Sequence, residues 1–335
     1  MKLKISVIIP TRNRAAYLRD ALASIAAQDL DADAFEVVVV DNGSTDNTVE
    51  VAHSFEGKIR NLKCVTEKEP GLHSGRHRGM KEAKAEILVF ADDDIEAFPT
   101  WLSAVYKNFD DSSVALVGGK CLPKFESEPP HWLQVLWQER GGVRMIASLS
   151  VVDFGDNRKE IHSRYVFGCN FAVRKSFLFS AGGFHPDGMP IDKLMFRGDG
   201  ETHVSDEVMR RGFKAFYDPA ASVYHRVSRD RMTLSYFHTR AFAQGISNSY
   251  EDLRAGKVSE HKTYVQTILF LFKKFQIRTA WKMIKQCIRD GVAECVTHDG
   301  KARGYTAHQK EYARDAVLHD WVHRETYLDE NKVCA

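Results

Sequence analysis

"ILVFADDD", residues 87–94, runs from an apolar stretch straight into three successive carboxylates. An unbroken apolar run such as Ile87 to Phe90 predicts a strand buried on both faces. The acids then fall where that strand ends. Adjacent like charges resist ionising together unless a cation or solvent compensates them. Asp92 and Asp94 lie two apart, so continued strand geometry points them the same way and turns Asp93 elsewhere. One or two carboxylates beside substrate phosphates are the usual holders of Mg²⁺ or Mn²⁺. A solvated turn capping a helix is the plain alternative.

The surroundings supply a fold. Lys4 to Ile9 is an apolar, β-branched strand stopped by Pro10. Tyr17 to Ala27 carries Leu18, Leu22 and Ile25 on one helical face. Phe35 to Val40 is a second buried strand, ended by Asp41-Asn42-Gly43. Leu62 to Thr66 and Val114 to Val117 are further strands, and Trp101 to Phe109 a helix. This alternation predicts an α/β fold: a mainly parallel, Rossmann-like sheet with helices on both sides. Such sheets bind ligands beyond the carboxyl ends of their strands. Asp41 ends its strand as the acids do, and can accept from a nucleobase N–H or open an Asx turn; the two roles are compatible. Arg76 and Arg78 precede the acidic strand, where they can meet phosphate or form ordinary basic surface. From 120 to 165 the rhythm fades, which predicts an insertion beside the site. There Trp132 and Trp137 offer faces for sugar stacking or simply pack. Beyond Arg229 the pattern is helical.

The chain has 335 residues, 44% of them hydrophobic, and a formal charge of only +2. That suffices for a large core and gives no overall argument for a nucleic-acid binder. The cysteines at 64, 121, 169, 287, 295 and 334 lack close pairing, so free thiols in a reducing compartment are expected. The apolar run at the start ends at Pro10, too short for a secretory core, and Thr267 to Phe272 cannot span a bilayer. A cytoplasmic protein is expected. His261 to Arg289 predicts a basic, partly apolar helix with Lys273, Lys274, Lys282, Lys285 and Arg289. It can rest on the inner face of a membrane, or pack on the body or a second subunit. His319 and His323, at i and i+4, are expected to be a packed or surface pair.

Further carboxylates occur in Gly198-Asp199-Gly200-Glu201. A single carboxylate opposite a metal-bound diphosphate can take a proton from an attacking hydroxyl. Glycoside hydrolysis normally needs two carboxylates around one bond and no metal, so the acidic cluster favours transfer.

Five segments in order resemble the family 2 glycosyltransferases of GT-A fold: "ISVIIPTRNR", "EVVVVDNGSTDNT", "GLHSGRHRGMKEAKAEILVFADDD", "FGCNFAVRKSFLFSAGGF" and "GDGETHVSDEVMRRGFKAFYDPAASVYH". The likeness covers roughly residues 3 to 228, which the resemblance makes a catalytic domain (1–228). Residues 1–119 would be the nucleotide-sugar half, 120–228 the acceptor half, and 229–335 a helical C-terminal extension. The resemblance implies transfer with inversion from a nucleoside-diphosphate sugar, UDP or dTDP, to a hydroxyl of a glycan, lipid-linked sugar or small molecule. Asp41 would read the base, while Thr11, Arg14, Arg76 or Arg78, Asp92 and Asp93 would lie on the nucleotide side. Asp92, Asp94 and His225 would hold Mn²⁺ or Mg²⁺, and the charge of Asp93 would be incidental. The family's base lies in a Glu-Asp pair; here Gly200 stands in place of the first acid, leaving Glu201, ahead of Asp199, as base. That departure keeps alive a non-catalytic sugar-nucleotide binder or scaffold. A nucleotidyltransferase would want a Gly-rich loop where Pro10-Thr11-Arg12-Asn13-Arg14 stands.

Overall fold

β1 (Ile5–Thr11) and β2 (Phe35–Asp41) are buried at every position, their apolar residues in the core and the buried Ser6 hydroxyl donating to Glu36 at 2.6 Å. The structure, a computed structural model, describes residues 3–257, 259, 262–290 and 292–328. Between the first strands lies α1 (Ala15–Ala26), which buries Leu18, Ala21, Leu22 and Ile25 against the sheet. Each such leucine contributes about 1.5–3 kcal/mol by leaving water. There follow α2 (Thr48–His53), β3 (Leu62–Thr66), α3 (Leu72–Glu82), β4 (Ile87–Ala91), β5 (Ile95–Ala97), α4 (Trp101–Asn108) and β6 (Val114–Gly118).

Residues 120–165 are more regular than their sequence suggests. They form β7 (Cys121–Phe125), α5 (His131–Leu136), β8 (Arg144–Ile146), β9 (Val151–Asp153) and β10 (Lys159–Ile161). Three of these strands have three residues, too short for any hydrophobic period to show. Next come β11 (Asn170–Arg174), α6 (Lys175–Ser180), α7 (Thr202–Arg210), β12 (Lys214–Tyr217) and β13 (Val223–Val227). The helical extension comprises α8 (Leu234–Arg254), α9 (Tyr264–Lys273), α10 (Ile277–Asp290), α11 (Val292–Tyr312) and α12 (Ala316–Val322).

The main sheet has the order β10-β12-β6-β11-β4-β1-β2-β3. β4, β1, β2 and β3 run parallel, and antiparallel β11 separates them from the parallel pair β6 and β12. This is the mixed, helix-flanked sheet of a GT-A-like fold. A second sheet, β5-β13-β7-β9-β8, is built from the strand after the acidic turn, three strands of the 120–165 region and β13. Chain order reverses between β1 and β4, and a crevice opens beyond strand ends at such a point. α3 can lie directly on β1 because Gly79 faces Ile8, where a Cβ would collide with the isoleucine methyl.

Two expectations need correction. The basic segment is not one helix but two, α9 and α10, broken by a turn at Phe275. Its apolar period continues across that turn, so sequence pattern alone could not place the break. His261 and the side chains of Lys285 and Arg289 lie outside the described residues, as does Cys334. Cys64, Cys121 and Cys169 are free, but Cys295 is disulfide-bonded, because folding joins cysteines that close-spacing rules cannot pair. Trp132 packs edge-on against Phe237, with ring centroids 5.0 Å apart, and Trp137 joins the same cluster. His319 stacks on Tyr312 and His323 meets it edge-on, both histidines exposed, which makes them the surface alternative of the expected packed or surface pair. Among the described residues no helix is long and apolar enough to cross a membrane.

Candidate functional site

The acidic turn sits at the carboxyl end of β4, beside the ends of β1 and β2. β13 pairs with β5 so that His225 lies opposite Ile95, the residue after Asp94. Arg226 N–H donates to the Asp94 carbonyl at 2.9 Å, which fixes that register. As a result Asp92, Asp94 and His225 each present an atom within 4.8 Å of the others. His225 donates Nδ1–H to the Leu149 carbonyl at 2.8 Å, so its Nε2 faces Asp94. Asp94 Oδ1 lies 3.1 Å from that Nε2, yet is a buried oxygen without a properly angled hydrogen bond. Two carboxylates and an imidazole, with one oxygen left unsatisfied, fit a hard divalent cation such as Mn²⁺ or Mg²⁺.

The protein supplies cations of its own here. Arg14 pairs with Asp93 at 2.9 Å and Asp94 at 2.7 Å, and Arg231 reaches Asp94 at 3.3 Å. Burial of Asp94 works against its charge, but His225, Arg231 and Arg14 hold its carboxyl well below the usual range. Burial also opposes the His225 imidazolium, while the sulfur of Cys169 and the carboxylates of Asp94 and Asp92 push it up to about 9. Asp93, whose charge the resemblance makes incidental, has structural partners of its own. Its carboxyl is buried, accepts from Thr11 Oγ1 at 2.7 Å and pairs with Arg14, and burial pushes it up to about 7. Thr11 and Arg14 are therefore tied to the acidic turn itself. Arg231 was not anticipated; its only sequence signal is a basic residue six positions beyond His225.

Arg76 is buried, and α3 carries it to the acidic turn. It stands 3.8 Å from Asp92 and donates to Glu201 Oε2 at 3.2 Å. Its cationic form survives burial because Glu201, Asp92 and Asp187 surround it. Arg78 turns to the other side of the helix, where it bonds Glu82 and the Thr66 carbonyl. Glu201 stands immediately before α7 and accepts from Gly168 N–H at 3.1 Å; its side chain is 26% exposed. Asp199 faces inward, its carboxylate accepting from His185 Nδ1 at 2.6 Å with the side chain 8% exposed. His203 stacks on His185 at 3.8 Å and donates its Nε2–H to the Ala181 carbonyl at 2.8 Å. It therefore packs behind Asp199. His185, which holds Asp199 away from the crevice, had no sequence signal.

Asp41 Oδ1 accepts from Ser44 N–H, three residues on, at 3.0 Å, one residue beyond the reach of the expected Asx turn. A cavity of about 290 Å³ opens over the acidic turn, lined by Thr11, Arg12, Arg14, Asn42, all three aspartates, Gly188 and Arg231. The loop through Asp187 closes one side, its carbonyl accepting from Leu72 N–H at 2.8 Å.

The family model for glycosyl transferase family 2 matches residues 6–179. A glycosyltransferase of Haloferax volcanii is 35% identical over 116 residues, covering 34% of this chain and 38% of the relative. A validoxylamine A glucosyltransferase of Streptomyces hygroscopicus subsp. jinggangensis is 30% identical over 200 residues, covering 55% of this chain and 47% of the relative. The chain thus spans less than half the length of these two relatives. A mannosyltransferase from Pyrobaculum calidifontis, solved with GDP-Man and Mn²⁺, superposes with a TM-score of 0.55 at 20% identity, covering 98% of this chain and 85% of the other. That likeness concerns the fold.

Proposed function

The chain belongs to glycosyl transferase family 2, and from that premise we propose that it transfers a sugar from a nucleoside-diphosphate sugar to an acceptor hydroxyl, with inversion. The observation that carries the reading is the convergence of Asp92, Asp94 and His225, with Asp94 Oδ1 unsatisfied, beneath an open cavity at the end of β4.

Asp92, Asp94 and His225 would hold Mn²⁺ or Mg²⁺, which when bound acts as a Lewis acid toward the leaving diphosphate. His225 can offer its Nε2 lone pair only after losing the proton there, so occupation of the site releases a proton. Glu201 takes the proton of the acceptor hydroxyl as its oxygen bonds to the anomeric carbon and the bond to the diphosphate breaks. Its partial exposure and its place one guanidinium away from Asp92 favour it over Asp199, which is committed to His185. Arg76 positions Glu201. Arg14 and Arg231 are the cations nearest the developing charge. Asp41 can accept a ring N–H through its second oxygen, which suits uracil or thymine. The acceptor would enter beside β7–β10 and the Asp187 loop. The reading keeps the expected cytoplasmic location.

Calorimetric titration with UDP, dTDP and GDP, each with Mn²⁺ and with EDTA, tests this on the wild type and Asp94→Ala. GDP belongs in the panel because the mannosyltransferase of similar fold was solved with GDP-Man. The expected result is binding of one diphosphate that requires both the metal and Asp94. Binding of none, or binding indifferent to both, would remove the reading.

A further inference from the structure

We propose that the α9–α10 hairpin seats the protein on an anionic lipid surface. This does not rest on the sugar-transfer reading. Residues 262–284 carry five cations, Lys262, Lys273, Lys274, Arg278 and Lys282, and no carboxylate, in a chain whose net charge is only +2. The same stretch exposes large apolar side chains. Phe275 is 88% exposed, Val265 63%, Leu269 55% and Trp281 53%. Leu271 and Ala280 are buried, so the hairpin is anchored by one face and presents the other.

The turn itself displays its phenyl ring. Phe275 has φ +58°, a left-handed conformation that is unusual for a bulky residue and turns up where surrounding structure or function demands it. It follows Lys273 and Lys274, and every residue from 272 to 279 is exposed. Apolar rings flanked by long basic side chains suit the boundary between headgroups and acyl chains, where stems and rings enter the apolar side and charges stay with phosphates. A helix of ten residues lies on a bilayer and does not cross it.

Charge selects the occupant. A second copy docked on the same face about a two-fold axis would set five cations against five. A surface of anionic headgroups complements them, and juxtamembrane basic clusters bind such lipids additively.

Co-sedimentation of the full chain with vesicles of phosphatidylcholine alone, or of equal phosphatidylcholine and phosphatidylglycerol, tests the proposal. At about 0.1 M salt the anionic vesicles should bind at least ~10-fold more tightly, and the difference should shrink at about 1 M. Phe275→Ser with Trp281→Ser should weaken that binding ~10-fold or more with an unchanged melting curve. Lys273→Gln with Lys274→Gln and Arg278→Gln should abolish the preference for anionic vesicles. Three outcomes would overturn the proposal. One is equal or no binding to the two vesicle types, or serine variants that bind like the wild type. Another is a dimer in sedimentation velocity that the serine variants dissociate, which assigns the face to a second copy. The third is capture of polyglutamate in preference to vesicles, which assigns it to an acidic polypeptide.

Discussion

Asp92–Asp94 and Asp199–Glu201 both carry carboxylates two residues apart, and the fold disposes of them in opposite ways. In the first segment Asp92 and Asp94 converge with His225, and the residue between them turns away to Thr11 and Arg14. In the second, Asp199 turns inward to His185 while Glu201 reaches Arg76 and the Gly168 amide. The backbone makes the difference. The turn after β4 leads straight into β5, so alternation nearly persists. Gly200 has φ +58°, and a left-handed residue between two acids reverses the direction of the second. Spacing alone therefore does not decide which charges meet.

The largest effect separates the second pair. Glu201→Gln should lower the transfer rate ~10²–10⁴-fold with diphosphate affinity little changed. Asp199→Asn should lower it less than about tenfold and act mainly on melting temperature, since a buried hydrogen bond is worth ~1 kcal/mol. Initial rates beside calorimetry check both; equal losses would end the distinction, and full activity in Glu201→Gln would favour a non-catalytic binder. Next comes the first pair. Asp94→Ala should weaken metal-dependent diphosphate binding by ~100-fold, in line with loss of a ligating group. Asp93→Asn should leave that binding within a few-fold and lower stability by about 1–2 kcal/mol, discounted because Arg14 is a third exposed. Denaturant melts and titrations of the two variants settle this.

Gly200→Ala should lower stability by about 1–2 kcal/mol through its left-handed backbone, and the rate by a few-fold as Glu201 shifts. Its Cβ would also stand 3.0 Å from Asp187 Oδ2. The smallest effect is on pH. Burial keeps the His185 imidazole below its ordinary range, so the unfolded chain takes up that proton more readily than the folded one. Stability contributed there is full above the unfolded value of about 6.5 and lost as pH falls below it. The gap in melting temperature between wild type and His185→Asn should be widest at pH 8 and narrow only below about pH 6.5, where the wild type alone loses stability.

Much of this was legible beforehand. The run from Ile87 to Asp94 fixed both the strand and the acids at its end, because a strand's period is two and its apolar run is continuous. Asp41 and His225 were found through motifs in order, though only the pairing of β13 with β5 brings His225 to Asp94. What was hidden depends on long-range approach. Arg231 and Arg14 both answer Asp94, from 137 residues after it and 80 before it. His185 claims Asp199 through a loop with no periodic signal. The second sheet escaped notice because its strands are short.

The central claim is that the acidic turn and His225 form one cation site. Anomalous diffraction from crystals soaked with Mn²⁺ and the best-binding diphosphate tests it most directly. The account expects a single strong peak bonded to Asp94 and His225, with Asp92 and the diphosphate beside it. A peak elsewhere, or none while the diphosphate is bound, would contradict it.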